Sequence, residues 1–180
     1  LRLGGMESVV VETAAIGTPG VHNLYNSMAA TTAAFVLGVG AETAGVTLKE
    51  FKGVEHRLEF VRELRGVRYV NDSKATNVDS VWYALQSFPA PIVLILGGRD
   101  KGNDYSKITG LVAKSVRAIV AVGESADKVV KAFTGSVPVA KATSMEDAVK
   151  RSAGAALEGD VVLLSPACAS FDWFDNFEHR

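Results

Sequence analysis

The sequence is poor in the residues that build disulfides and metal sites. Its 180 residues include one cysteine, Cys168, and three histidines. A single cysteine excludes an internal disulfide, and the cysteine and histidines show none of the spacings typical of zinc sites. We therefore expect no metal ligands in this chain, and we expect the reducing cytoplasm as its location.

The sequence also has no large excess of charge of either sign and no long apolar run. Lysine and arginine number 19 against 20 aspartates and glutamates, and the basic residues are scattered along the chain. This balance predicts no nucleic-acid partner and no attraction to a membrane surface. No run of about 18 apolar residues occurs, so no membrane-spanning helix is expected. A hydrophobic content of 48% is that of an ordinary globular protein.

The pattern of the first 50 residues is typical of the end of a preceding domain. The chain starts at Leu1 without an initiator methionine and soon reaches an apolar stretch, Val9 to Val11, that is expected to be a strand. Apolar residues at helical spacing predict a helix over 22–37. Thr47 and Glu50 then predict a short helix opened by a capping box. We expect a fragment, with a domain boundary near residue 45.

Strand and helix patterns alternate from residue 58 onward. Two short strands, 58–64 and 67–70, are predicted to form a hairpin through Arg65-Gly66. The remaining elements are expected in the order helix 78–87, strand 92–96, helix 105–115, strand 118–122, helix 126–133, strand 137–140, helix 145–157 and strand 161–164. The uninterrupted apolar strand 92–96 is typical of a parallel sheet covered on both faces. The fold class is therefore α/β, with a doubly wound, mostly parallel sheet.

Three loops that follow predicted strands carry unusual chemistry. They are Asn71 to Asn77, Gly97 to Gly102 and Ser165 to Asp172. In parallel sheets, ligands bind beyond the carboxyl ends of the strands, where loops lead into helices. Hydroxyl groups, backbone N–H groups and the cations of Lys74, Arg99 and Lys101 suit an anion. The sequence therefore predicts one anion-binding site at one edge of the sheet.

Plainer explanations exist for the same residues. Asp72, Ser73 and Thr76 can simply cap a turn, and the glycine-rich loop can be an ordinary turn. That loop matches neither G-x-G-x-x-G nor the P-loop pattern, so neither a dinucleotide site nor a P-loop is indicated. Cys168 has no evident histidine partner and is expected to be a small core residue rather than a nucleophile.

The region before residue 60 adds a second group of polar residues. Asn23 and Asn26 are three apart on a predicted helix, so they share a face and can bind a nucleobase, while helix capping by Asn23 is the alternative. His56 and Arg57 follow outside the α/β series. Trp82, Tyr83 and Phe88 are expected in the core and not in a functional site.

Taken together, these segments resemble the ATP-dependent Mur ligases of peptidoglycan synthesis. The match runs from His22 to Arg180 and rests on several motifs in order, which are His22-Asn23-Leu24-Tyr25-Asn26, Gly53-Val54-Glu55-His56-Arg57-Leu58-Glu59, the three loops, and Asn176-Phe177-Glu178. Family members that add L-alanine or a diamino acid have a histidine-bearing segment in place of Asp72 to Asn77. The lysine-bearing version here resembles the members that add D-glutamate.

The resemblance implies a larger, three-domain enzyme. Residues 1–45 would be the tail of its central ATPase domain, and residues 46–180 its C-terminal, amino-acid-binding Rossmann-like domain without the final helix. The implied substrates are ATP, UDP-N-acetylmuramoyl-L-alanine and D-glutamate, which react through an acyl phosphate. The ligands of Mg²⁺ are expected outside this chain, and the fragment is expected to be inactive alone.

The resemblance also assigns roles to individual residues. Those expected to hold D-glutamate are Thr76, Lys101, Ser170, Phe171 and Phe177, with Lys74 and Lys101 as the catalytic cations. Those expected at the nucleotide are Asn23, Asn26, His56, Arg57 and Asp72. Two other functions stay open, a nucleotide-dependent oxidoreductase, which is disfavoured by the missing G-x-G-x-x-G, and a non-catalytic amino-acid-binding module.

Overall fold

The structure is a computed structural model, and it describes residues 2–3, 6–18 and 20–180, with side chains described from residue 7 onward. The chain divides into two compact units, Leu1–Gly53 and Val54–Arg180. The assignment of residues 1–45 to the tail of one domain and of 46–180 to another stays a prediction.

The first unit is mainly helical. Strands β1 (Arg2–Leu3) and β2 (Met6–Glu7) form a short antiparallel pair. A 3₁₀ turn follows at Thr13–Ala15, and then come helices α1 (Val21–Val36) and α2 (Ala41–Glu50). The helix predicted over 22–37 is therefore confirmed.

Two expectations for this unit are wrong. Val9 to Val11 lie outside any strand. They pass along α2, where a Cβ at Gly45 would come within 2.3 Å of the Val10 carbonyl oxygen, so the segment packs on a helix instead of in a sheet. Thr47 does not open a helix either, because α2 already begins at Ala41. The Thr47 hydroxyl instead donates to the Thr43 carbonyl at 2.9 Å.

The second unit is built on a six-stranded sheet. Its strands are β3 (Glu59–Leu64), β4 (Val67–Asn71), β5 (Ile92–Gly97), β6 (Val116–Val122), β7 (Val139–Lys141) and β8 (Val161–Leu164). The spatial order is β3-β4-β8-β5-β6-β7, and only the edge strand β3 is antiparallel to its neighbour. The predicted doubly wound, mostly parallel sheet is confirmed.

The hairpin between β3 and β4 is confirmed as well. Its two turn residues, Arg65 and Gly66, have φ angles of 54° and 71°. Two consecutive positive φ angles define the type I′ turn, whose twist matches that of the strands it joins.

Helices cover both faces of the sheet. They are α3 (Val78–Leu85), α4 (Ser106–Ser115), α5 (Ala126–Phe133) and α6 (Met145–Ala155). Residues of α3, α4 and α5 form one core with Ile92, Leu94 and Leu96, and α6 forms the other with Val93 and Ile95. Successive β5 residues thus point to opposite cores, as the apolar run predicts.

The aromatic residues of α3 lie outside the core, contrary to expectation. Trp82 and Tyr83 are 37% and 41% exposed and pack edge to face, with ring centroids 4.9 Å apart. The core stripe of this short helix is formed by Val78, Val81 and Leu85, so positions 82 and 83 fall on the outer side.

Over the described residues, no helix combines the length and apolarity needed to cross a membrane.

Candidate ligand-binding site at the carboxyl edge of the sheet

Topology brings the three loops together. Strands β4, β8 and β5 are adjacent and parallel, so the loops that follow them leave the sheet at the same edge. Backbone hydrogen bonds join the loops, since Gly97 N–H donates to the Pro166 carbonyl and Arg99 N–H to the Ala169 carbonyl, both at 2.9 Å. The predicted grouping of these loops is confirmed, whereas anion binding by them stays a prediction.

Gly97 and Gly98 are needed for this loop packing. Their φ angles are 130° and 137°, in a region that only glycine adopts readily. A Cβ would lie 2.1 Å from the Val122 carbonyl oxygen at Gly97 and 2.5 Å from the Ala169 carbonyl oxygen at Gly98. The space beside these glycines is therefore occupied by protein backbone.

Three of the predicted site residues are in direct contact. The Lys74 ammonium lies 4.5 Å from the centre of the Phe177 ring, a cation–π contact. The His56 ring packs against the edge of the same ring at 5.8 Å. In addition, Lys74 N–H donates to the His56 carbonyl at 3.0 Å. The loop after β4, the segment before β3 and the end of the chain therefore meet at Phe177.

Capping in the loop after β4 is done by asparagines. Asn71 Oδ1 accepts from Ser73 N–H at 3.0 Å, and Asn77 Oδ1 accepts from Ser80 N–H at 2.8 Å and so caps α3. Thr76 lies between these caps and is partly buried. The plain explanation for Thr76, a cap of the turn, is not what the structure shows.

Asp72 is a buried carboxylate at the end of β4. Asp72 is 5% exposed, and its carboxylate accepts hydrogen bonds from Ser165 Oγ at 2.7 Å and from Leu58 N–H at 3.2 Å. Burial raises the pKa of Asp72 to about 6, against the opposing effects of these two bonds and of the Arg57 charge. Asp72 therefore holds the loop before β3 against the end of β8.

The segment before β3 is held in an uncommon conformation. His56 and Leu58 have φ angles of 62° and 46°, which cost free energy in residues other than glycine. Glu59 supports this conformation, because its Oε2 accepts from His56 N–H at 2.8 Å and from Asn71 Nδ2 at 3.2 Å. The sequence reasoning assigned no role to Glu59 or to the Asn71 side chain, although both lie within the quoted motifs.

The loop after β5 carries less free positive charge than expected. The Arg99 guanidinium donates to both carboxylate oxygens of Glu124, at 2.9 and 3.3 Å, and so already forms an ion pair, while its contribution to anion binding stays a prediction. Lys101 is exposed and, in the part of the chain that the structure describes, has no carboxylate within 4.0 Å. Lys101 is therefore the cation that this loop can offer to a ligand.

The loop after β8 contains both hidden and exposed residues. Ser170 is 2% exposed, whereas Phe171 is 57% exposed. Cys168 is buried at 1% exposure beside Asn103, Tyr105 and Ser125, and burial raises the pKa of its thiol. The prediction that Cys168 is a core residue is confirmed.

Asn23 and Asn26 belong to the first unit. They share a face of α1 as predicted, and Asn26 Nδ2 lies 3.5 Å from Asn23 Oδ1. The N-cap of α1 is Gly20, so neither asparagine caps the helix.

Metal ligands are not evident at the site. The described ranges contain no group of three or more His, Cys, Asp or Glu side chains that could hold a metal ion. No catalytic step of this chain is assigned to Mg²⁺.

Comparison with known proteins identifies the family. Residues 56–168, more than half of the chain, match the family model of the Mur ligase glutamate ligase domain. The chain is 50% identical, over its whole length, to the UDP-N-acetylmuramoylalanine–D-glutamate ligase of Chloroherpeton thalassium, and 56% identical over 89% of its length to that of Salinibacter ruber. It spans only 39% and 35% of these two relatives.

Solved structures agree on the fold. The UDP-N-acetylmuramate-alanine ligase of Thermotoga maritima superposes with a TM-score of 0.67 at 22% identity, covering 83% of this chain and 35% of that one. The folylpolyglutamate synthase of Mycobacterium tuberculosis, complexed with ADP, superposes with a TM-score of 0.65 at 15% identity, covering 83% of this chain and 38% of that one. The chain belongs to the Mur ligase family.

Proposed function

We propose that the protein of which this chain is part is an ATP-dependent ligase that adds D-glutamate to UDP-N-acetylmuramoyl-L-alanine, and that the chain supplies the D-glutamate site. The names of its relatives support this reaction. The structural observation that carries the proposal is the pair of exposed lysines, Lys74 and Lys101, on the loops after β4 and β5, which flank the loop after β8. Within the described residues, neither lysine has a carboxylate within 4.0 Å.

The chemistry of D-glutamate suits this edge. The amino acid carries two carboxylates, and each charge-assisted hydrogen bond to a carboxylate contributes about 1.5–3 kcal/mol. Lys74 and Lys101 supply the cations. Thr76, on the loop after β4, and Ser170, on the loop after β8, supply hydroxyl groups, and the Phe177 ring packs against the Lys74 ammonium.

The proposed reaction has two steps. A carboxylate oxygen of UDP-N-acetylmuramoyl-L-alanine attacks the γ-phosphorus of ATP, ADP leaves, and an acyl phosphate forms. The deprotonated amine of D-glutamate then attacks the acyl carbon, and the tetrahedral intermediate expels phosphate to form the amide. The role of this chain is to position the amine and to stabilise negative charge through Lys74 and Lys101.

Roles at the nucleotide are proposed for the remaining residues, separately in each unit. Asn23 and Asn26 present amide groups on one helix face, which suits the hydrogen-bonding pattern of adenine. Arg57 is exposed and suits the phosphates, whereas Asp72 and His56 set the conformation of the segment that carries it. Substitution of Arg57 is therefore expected to weaken ATP binding.

Two variants of the full-length protein, compared for their KM values for D-glutamate and for ATP, test this assignment. The assay follows phosphate release that depends on ATP, UDP-N-acetylmuramoyl-L-alanine and D-glutamate together. Lys101→Ala is expected to raise KM for D-glutamate about 10- to 100-fold, the equivalent of one charge-assisted bond, with KM for ATP within about two-fold. Asn26→Ala is expected to raise KM for ATP and to leave KM for D-glutamate unchanged.

Lys114→Ala is the matched control, because Lys114 lies in the last turn of α4, at the other end of the sheet from Lys101. It is expected to change neither KM. Unchanged D-glutamate kinetics in Lys101→Ala would refute the D-glutamate site. A wild-type protein that binds D-glutamate but releases no phosphate would instead be an amino-acid-binding module.

A further inference from the structure

Arg180 joins two of the site loops by direct hydrogen bonds. Its Nε donates to Ser73 Oγ at 2.8 Å, and one terminal nitrogen donates to the Ser73 carbonyl at 2.6 Å. The other terminal nitrogen donates to the Cys168 carbonyl at 3.1 Å. One planar guanidinium therefore bridges the loop after β4 and the loop after β8.

The same guanidinium lies near the third loop. A Cβ added to Gly98 would be 3.5 Å from the terminal nitrogen of Arg180 that bonds to Cys168. The side chain of Arg180 is therefore bonded to the loops after β4 and β8 and lies close to the loop after β5. In the described part of the chain, no other side chain donates to both of the loops after β4 and β8, although Ser165 Oγ also joins them by donating to Asp72.

Ser73 extends this connection to the proposed ligand-binding residues. It is fully buried, and its hydroxyl accepts from Arg180 while donating to the Phe177 carbonyl at 2.8 Å. Phe177 in turn packs against the Lys74 ammonium. Arg180 is therefore bonded to Ser73, next to Lys74 on one loop, and to Cys168, two residues before Ser170, on the other.

Stability alone does not account for an arginine at this position. Among the residues that the structure describes, no carboxylate lies within 4.0 Å of the Arg180 guanidinium. Burial lowers the pKa of Arg180 to about 10, with Asp172 opposing the effect from a longer distance, so the group is still a cation at neutral pH. A partly buried cation that is bonded only to neutral acceptors still loses solvation, and an apolar residue can stabilise a fold as well. The rigid fork of an arginine, in contrast, sets the spacing of its acceptors.

We propose that Arg180 is a positioning residue for D-glutamate, which sets the separation of the Lys74 and Ser170 loops through its bonds to Ser73 and to the Cys168 carbonyl. This inference rests on the proposed function. Arg180 acts through its neighbours and does not itself contact the reacting atoms. A lysine at this position would keep the charge and lose the fork.

The test uses Arg180→Lys and Arg180→Ala in the full-length protein. Both variants are expected to raise KM for D-glutamate about 10-fold or more, because displacement of a binding group by about 1 Å has effects of this size. KM for ATP is expected to stay within about two-fold. Guanidinium ion at millimolar concentration is expected to lower KM for D-glutamate in Arg180→Ala, since it can occupy the space that the side chain leaves.

Arg117→Lys is the matched control. Arg117 is also partly buried, and it pairs with the buried Asp160, but at the opposite edge of the sheet, where β6 and β8 begin. This variant is expected to lower the melting temperature without changing KM for D-glutamate.

The outcomes separate the two proposals. If the wild-type protein releases no D-glutamate-dependent phosphate, the proposed function fails and this inference fails with it. If the wild type is active, Arg180→Lys keeps the wild-type KM for D-glutamate and guanidinium does not rescue Arg180→Ala, then only the positioning role of Arg180 is overturned. The Lys variant keeps the test decisive even where Arg180→Ala does not fold.

Discussion

Replacement of Asp72 by asparagine is expected to remove a pH-dependent cost from the folded second unit. The carboxylate is 5% exposed and accepts hydrogen bonds from Leu58 N–H and Ser165 Oγ. Asparagine has nearly the same shape, and its amide can bond to the same two groups without a charge. The variant therefore isolates the effect of ionisation from the effect of packing.

The magnitude follows from the pKa. Burial raises the pKa of Asp72 from its ordinary 3.8 to about 6, and a tenfold change in proton affinity corresponds to about 1.4 kcal/mol. Ionisation thus costs the folded state about 3 kcal/mol relative to the unfolded chain. Because the folded pKa is raised, the stability that the protonated group contributes is fully present below about pH 4. It is lost as the pH rises through about 6.

Tryptophan fluorescence is a suitable assay. The only two tryptophans of the sequence, Trp82 and Trp173, both lie in the unit Val54–Arg180, so urea unfolding followed by fluorescence reports on that unit. The free energy of unfolding of the wild type, minus that of Asp72→Asn, is expected to fall by about 3 kcal/mol between about pH 4 and pH 7. Asp79→Asn, at a carboxylate whose side chain is 71% exposed, is expected to change stability by less than about 1 kcal/mol.

Two results would refute this reasoning. A difference between wild type and Asp72→Asn that is constant across this pH range would mean that Asp72 is not desolvated in the folded state. A difference that rises with pH would mean that attraction to Arg57 outweighs burial, in contrast to the balance of effects in the structure.

Two further predictions concern local structure. Ser144 caps α6 by accepting from Asp147 N–H at 3.1 Å, so Ser144→Ala is expected to cost about 1 kcal/mol in urea unfolding, whereas Ser136→Ala, at an exposed turn residue, is expected to cost less than half of that. Cys168 is buried, and burial raises its pKa, so a thiol reagent is expected to modify it only as the unit unfolds. Rapid modification in the folded state would contradict its place in the core.

Local patterns predicted most of the second unit correctly. The helix Ala126–Phe133 and the strand Val161–Leu164 have the bounds that their periodicity indicates. The turn at Arg65-Gly66 follows from two residues alone, because the positive φ of each is a local requirement. Errors arose where local signals competed. Thr47 resembles an N-cap, yet it lies in the last turn of a helix that begins at Ala41.

The candidate site was predicted in outline and missed in its connections. The three loops follow strand ends and could be recognised by composition, and the order of parallel strands then places them side by side. The ion pair between Arg99 and Glu124 was not predictable, because these residues are 25 positions apart and on different loops. Arg180 and Ser73 were missed for the same reason, since 107 positions separate them.

By itself the sequence determined the fold class, the three loops and the family resemblance, because each depends on local periodicity or on ordered motifs. Only the tertiary structure decided which polar side chains stay available to a ligand. Lys101 is left without a carboxylate among the described residues, while Arg99 is paired and Asp72 is buried. The physical reason is that burial, ion pairing and loop spacing arise from groups that are distant along the chain and adjacent only after folding.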